Sequence, residues 1–176
     1  GLAALVQHFG GEVADEPTQA APTPATTPVT PSIPLEKKVA EHAPQLVNLA
    51  KKAAVSLEKK KLTQVKAQVG LVLDASGSMH QQYVKGRVQE VIERLLPLAV
   101  HFDDDGSLEC WAFGEKTTQL SSVHLKNVQG YVEQTNAGWK KWQVGARFNE
   151  EPIAIKAVID FYQKNRAQGV PVYILF

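Results

Sequence analysis

Residues 69–73, Val-Gly-Leu-Val-Leu, form an apolar run without polar alternation. It ends in a turn that carries Asp74, Ser76 and Ser78 at alternate positions. A run this short fits a strand covered on both faces, as in a parallel α/β sheet. Ligands on such sheets bind just beyond the carboxyl ends of the strands. One carboxylate and two hydroxyls therefore stand where a site is expected. All three offer oxygen, the preference of a hard cation such as Mg²⁺. Gly77 lets the turn bend without a Cβ clash. Neutral hydroxyls leave such a cation with residual positive charge, which favours an incoming carboxylate from a partner over a closed cage. The competing reading is a Ser/Gly-rich turn whose Asp and Ser only cap the next helix. The pattern D-x-S-x-S arises by chance in roughly one chain in twenty of this length. Its place between a buried strand and a helix favours the metal reading.

The chain has 176 residues, 44% apolar and 21% charged, which describes a globular domain with additions. The net charge of +1 implies no general attraction to nucleic acid or to an anionic membrane. Charge is unevenly spread: residues 1–34 hold three acids and no Lys or Arg, whereas residues 35–68 hold eight Lys and three Glu. Those lysines could meet an acidic partner or simply form a solvated helical face. The lone Cys110 excludes an internal disulfide and fits a reducing, cytoplasmic setting. It lies in an apolar run, so a buried inert thiol is expected. No apolar stretch reaches transmembrane length.

Residues 1–16 read as the tail of an upstream domain, closed by Gly10 and Gly11, and not as a signal peptide. Residues 17–34 hold six of the ten prolines, with Thr and Ala between, and read as an extended linker. Residues 35–65 form a helical lead-in, broken near Ala43 and Pro44. Its stripe of Val39, Leu46, Leu49, Ala50, Ala53 and Leu57 should pack on the following sheet. From residue 66 the pattern is strand (69–73), helix (83–102, with Val84, Val88, Val91, Leu95 and Leu98 on one face), an acidic turn at 103–106, and strands at 107–113 and 117–123. A short helix (125–134), a stronger helix (152–165, with Ile155, Val158, Ile159 and Tyr162 on one face) and a buried-type strand (170–176) follow. Pro97 should kink or shorten the helix that contains it.

The 69–79 segment resembles the metal-ion-dependent adhesion site (MIDAS) of von Willebrand factor A (vWA) domains, whose first motif is D-x-S-x-S. The stretch 128–132, the Trp139, Lys140, Lys141, Trp142 cluster and the Asn149, Glu150, Glu151, Pro152 segment are similar to one bacterial branch, the vWA domains of tellurium-resistance (TerF-type) stress proteins. The resemblance covers residues 66–176. It implies a Rossmann-like three-layer α/β fold with a mostly parallel central sheet. Family members continue for two more strands and place an Asp-Gly pair after the strand at which this chain stops. The fold is therefore expected to be truncated at its C-terminus.

By this resemblance Ser76 and Ser78 match hydroxyls that contact the ion, and Asp74 matches the carboxylate that approaches it directly or through water. The family's next member is a Thr in a Gly-Gly-Thr context. Residues 145–152 contain no Thr, and Phe148, at or beside its expected position, cannot ligate. Asn149 is the chosen fourth ligand and Glu150 the charged alternative. Asn149 could equally belong to the N-cap region of the helix beginning near Pro152. His80 could orient a water or a partner carboxylate, or simply be exposed. Trp139 and Trp142, flanking two lysines, suit an interface, or alternatively cover an open sheet end.

The implied function is divalent-cation-dependent protein–protein interaction in a bacterial tellurium-resistance or stress-response protein. The cofactor is Mg²⁺ or another divalent cation such as Mn²⁺ or Ca²⁺. The partner is another protein, supplying an acidic residue. A metal-independent regulatory or scaffolding module is the alternative. Hydrolysis is disfavoured: the place of a phosphatase's second Asp is held by Ser76, and neither a G-x-S-x-G elbow nor a P-loop is present. No enzymatic activity is expected.

Overall fold

The computed structural model describes residues 35–103 and 106–176. The upstream tail, the proline-rich linker and the tip of the acidic turn, Asp104 and Asp105, lie outside the described residues. Four strands form one sheet in the order β3-β2-β1-β4. The central strand β1 (Gln68–Asp74) pairs in parallel with β2 (Glu109–Phe113) on one side and β4 (Val172–Leu175) on the other. The short β3 (Thr117–Gln119) runs antiparallel to β2.

Helices cover both faces of β1, as its unbroken apolar run requires. Val69, Leu71 and Leu73 join a core with helix α4 (Arg87–Phe102) and with Cys110 and Ala112 of β2. Val72 faces the other way, with Trp111 and Phe113, onto Ala154, Val158 and Tyr162 of helix α6 (Glu151–Asn165). Helix, sheet and helix make the three layers of a mixed α/β fold. The lead-in forms helices α1 (Leu35–His42) and α2 (Val47–Lys59), separated by a 3₁₀ turn that Pro44 opens. Its apolar stripe packs mainly on α4, within the same core that holds Val69, Leu71 and Leu73 of β1. The lead-in is thus a further helical layer on one side. Among the described residues no helix is long and apolar enough to cross a membrane.

Four expectations need correction. The helix expected over 83–102 is two helices, α3 (His80–Val84) and α4, because Gly86 takes a left-handed conformation with φ +70°. That break shifts the buried stripe to Val88, Ile92, Leu96, Ala99 and Val100, leaving Val84 and Val91 exposed. Pro97 is buried within α4 without ending it. The third strand stops at Gln119: from Trp111 back to Leu108 the inner strand takes three steps, while the outer strand takes four from Gln119 to Val123. The extra outer residue is a bulge that interrupts the ladder. The helix expected over 125–134 shrinks to α5 (Tyr131–Gln134), preceded by Gly130 at φ +66°. Finally, β4 is an edge strand with half-exposed residues, because it has one neighbour where a central strand has two.

Candidate metal centre

Asp74 is the last residue of β1, level with Phe113 of β2. The next amide, Ala75 N–H, donates to the Phe113 carbonyl (2.8 Å), so the chain leaves the sheet at a defined point. It then turns sharply. Ser76 N–H donates to Asp74 Oδ1 (2.8 Å), which closes the turn with one carboxylate oxygen. The hydroxyls of Ser76 and Ser78 converge to 3.2 Å. Ser76 is buried, Asp74 half-buried and Ser78 exposed, so the cluster opens to solvent on one side.

The helix-cap alternative makes a different demand. A capping serine spends its oxygen on a backbone N–H two or three residues ahead. Ser76 occupies the cap position of the 3₁₀ turn Gly77–Met79, yet its side chain makes no capping bond. Its hydroxyl instead meets that of Ser78. Two adjacent ligands of an octahedral ion at 2.0–2.1 Å would stand about 2.9 Å apart, and at Ca²⁺ distances about 3.4 Å. The observed spacing falls between these values, so the donor set fits a hard cation. Among the described residues there is no group of three or more His, Cys, Asp or Glu side chains, so the candidate rests on hydroxyl chemistry.

Two flanking elements hold this turn. Tyr83, buried in α3, donates its hydroxyl to the Asp74 carbonyl (2.9 Å). Burial above all, then the neighbouring Cys110 and Asp74, push the Tyr83 hydroxyl well above its ordinary pKa, so it stays a donor. On the other side, Gly77 N–H donates to the Ala146 carbonyl (2.9 Å). The 144–150 loop is anchored further by Lys116 N–H to the Val144 carbonyl (2.8 Å) and Glu150 N–H to the Gly114 carbonyl (2.8 Å). Glu115 Oε1 accepts from the amides of Ala146 (3.1 Å) and Arg147 (2.9 Å). A Cβ on Gly114 would lie 2.4 Å from the Gly145 carbonyl oxygen, so only glycine allows this approach.

The structure thus unites Asp74, Ser76 and Ser78 in one turn and brings the loop of Asn149 to the same end of the sheet. Among the described residues no hydrogen bond joins Asn149 to those three. Asn149 is exposed, and the N-cap position of α6 belongs to Glu150, which makes no side-chain capping bond. Phe148 is 62% exposed. Sequence reading passed over Glu115 and Tyr83. The three-residue connection after β2 was the available signal for Glu115, since it must turn beside the end of β1. Nothing local marked Tyr83.

The two tryptophans divide the roles open to them. Trp142 is buried, donating Nε1–H to the Thr135 carbonyl (3.0 Å), and covers the core. Trp139 is half-buried and lies beside the turn. Its ring stacks on Tyr83 (4.9 Å between centroids) and meets the exposed His80 edge-on (5.2 Å), while the Lys140 ammonium sits 5.6 Å from its centre.

Residues 66–176 match the vWA-TerF-like family, described as the vWA domain found in the TerF C terminus. The chain belongs to this family. The uncharacterized protein YcbR of Bacillus subtilis (strain 168) is 39% identical over 131 residues, which are 74% of this chain and 54% of YcbR. The chain therefore spans about half the length of that curated relative. No solved structure matches. The family assignment agrees with the mostly parallel sheet and its helical layers, and the D-x-S-x-S turn stands at the carboxyl end of this domain's central strand.

Proposed function

We propose that this vWA module binds a divalent cation such as Mg²⁺ through Asp74, Ser76 and Ser78, and uses it to engage a carboxylate on another protein. The convergence of the Ser76 and Ser78 hydroxyls at 3.2 Å, with neither spent on capping, carries the reading. A bound cation would supply a concentrated positive charge with coordination positions left open. Asp74 holds the turn with Oδ1, which leaves Oδ2 available to the ion or to its water shell. Two neutral hydroxyls and one carboxylate leave a doubly charged ion under-neutralised, so an acidic residue from outside is the favoured completion. Asn149, or Glu150 beside it, is the proposed contribution of the second loop. The module acts by interaction and not catalysis. Its TerF-type relationship supports a place in a cytoplasmic tellurium-resistance or stress-response protein.

The test is an amide NMR titration of the full chain with Mg²⁺. Resonances of residues 74–79 should move and saturate, and Asp74→Ala should abolish the response. An unresponsive spectrum at millimolar metal would remove the cation from the account and leave the metal-independent scaffolding alternative, in which the Trp139 loop alone meets the partner.

A further inference from the structure

The 144–150 loop brings Asn149 to the end of the sheet that carries the hydroxyl turn, and packing does little to set its shape. Residues 145–150 are exposed, and Phe148, the largest side chain among them, is 62% exposed. A segment with so little buried apolar surface keeps its conformation through its hydrogen bonds. The connection between β2 and β3 clasps it along its length. Lys116 N–H donates to the Val144 carbonyl, Glu115 Oε1 accepts from the amides of Ala146 and Arg147, and the Gly114 carbonyl accepts from Glu150 N–H. From the hydroxyl turn, Gly77 N–H holds the Ala146 carbonyl.

The bonds of Lys116, Gly114 and Gly77 run between main-chain atoms. Glu115 differs: among the described residues no other side chain is hydrogen-bonded to residues 144–150. Two successive N–H groups beside the left-handed Gly145 (φ +80°) form a small anion-binding concavity, and one carboxylate oxygen fills it. Bonds of this kind are stronger than those between neutral groups. Asn149 lies between Arg147, fastened by Glu115, and Glu150, fastened by Gly114. Its position therefore depends on both fastenings.

We infer that Glu115 is a positioning residue for the cation site. It acts through the loop and not as a ligand, fixing residues 146–149 so that Asn149, or Glu150 beside it, completes the coordination begun by the hydroxyl turn. This rests on the proposed cation reading, since a fixed second loop serves the site only if the ion binds there. Reach matters more than charge. Oε1 serves two amides at once, and the amide oxygen of a glutamine can occupy the same place. An aspartate is one methylene shorter and falls about 1.5 Å short of it.

Amide NMR titration with Mg²⁺ tests it on the full chain and three variants. In the parent, the amides of residues 74–79 and 149–150 should move together. Glu115→Ala and Glu115→Asp should both lose the 149–150 response and keep that of 74–79. Both should bind Mg²⁺ about tenfold more weakly, the low end for loss of a residue that orients a ligand. Glu115→Gln should keep the 149–150 response and bind within about threefold of the parent, because it retains an acceptor oxygen at the original reach. Circular dichroism melts check that each variant folds, and Glu115→Asp, which changes one methylene and keeps the charge, carries the test if Glu115→Ala unfolds. A parent in which only residues 74–79 respond overturns the inference and leaves the cation reading intact. So does a Glu115→Ala or Glu115→Asp protein that matches the parent in affinity and in its 149–150 shifts. A Glu115→Gln protein as impaired as Glu115→Ala also overturns it, because charge and not reach would then be what the site requires. A parent without any Mg²⁺ response strikes the cation reading, and this inference with it.

Discussion

Replacing Gly77 by alanine tests whether the hydroxyl turn depends on close contact with the 144–150 loop. A Cβ on Gly77 would stand 2.8 Å from the Ala146 carbonyl oxygen, a main-chain atom that no rotamer can move aside. Relaxed C···O contacts lie near 3.3 Å or beyond, so the two loops must part by about 0.5 Å. That separation breaks the 2.9 Å bond from Gly77 N–H to the same oxygen. Losing such a bond costs about 1 kcal/mol. Strain from the inserted methyl adds about 1 kcal/mol more, the low end for overpacking because the loop is partly exposed. The sum, about 2 kcal/mol, should lower the melting temperature by about 8 °C for a domain of this size. Gly86→Ala is the control. Its cost comes from a φ of +70° with nothing within 4 Å, so it should destabilise by about 1–2 kcal/mol without touching the turn. Thermal melts followed by circular dichroism give the stability. Amide spectra give the location: Gly77→Ala should move the 144–148 amides and weaken the Mg²⁺ response, whereas Gly86→Ala should do neither. A Gly77→Ala protein that melts within 1 °C of the parent, with those amides unmoved, would refute the contact argument.

Three further outcomes follow from the core. Burial pushes the Cys110 thiol up to about 12, so it should resist a thiol reagent at pH 8 until urea unfolds the domain. A folded pKa above the unfolded value of 9.0 means that its contribution to stability is complete below pH 9 and is lost as pH rises toward 12, by about 1.4 kcal/mol per unit. Urea melts at pH 8, 9.5 and 10.5 should show the decline, and Cys110→Ala should flatten part of it. Tyr83 and Tyr131, both raised mainly by burial, supply a further decline of the same sign. Leu46, 1% exposed where the lead-in meets α4, should cost about 2–5 kcal/mol when cut to alanine. A loss under 1 kcal/mol in a urea melt would show that the lead-in is not integral to the core.

The sheet was legible where one segment carried its own signal. The run ending in Leu73 reads as doubly covered because it has no polar alternation, and α4 and α6 do cover it. Pro44 likewise marked the break in the lead-in. Errors arose where a single backbone conformation reset a pattern. The left-handed Gly86 resets the helix after it, so Val84 and Val91 of the expected stripe are exposed, while Val88 stays buried beside Ile92 and Leu96. Glycine was visible at that position. Whether it bends a helix or sits passively within one depends on what packs beyond it, and α1 and α2, well upstream in the chain, supply that packing.

The candidate centre divides along the same line. Asp74, Ser76 and Ser78 lie within five residues, so one turn sets their convergence, and the bond that closes it runs from Ser76 N–H to Asp74 itself. Sequence alone carries that geometry. The second half reaches the site through main-chain atoms: Gly77 to Ala146, Glu150 to Gly114 and Lys116 to Val144. Every residue has a backbone N–H and C=O, so such bonds leave no compositional trace. What does leave one is the space they demand. The tight approaches at Gly77 and Gly114 exclude a Cβ, and these two glycines lie just beyond the carboxyl ends of β1 and β2. A glycine in the turn just beyond each of two neighbouring parallel strands therefore signals a third loop laid across them. Read that way, the pair Gly77 and Gly114 would have pointed to a covering segment before any ligand was assigned within it.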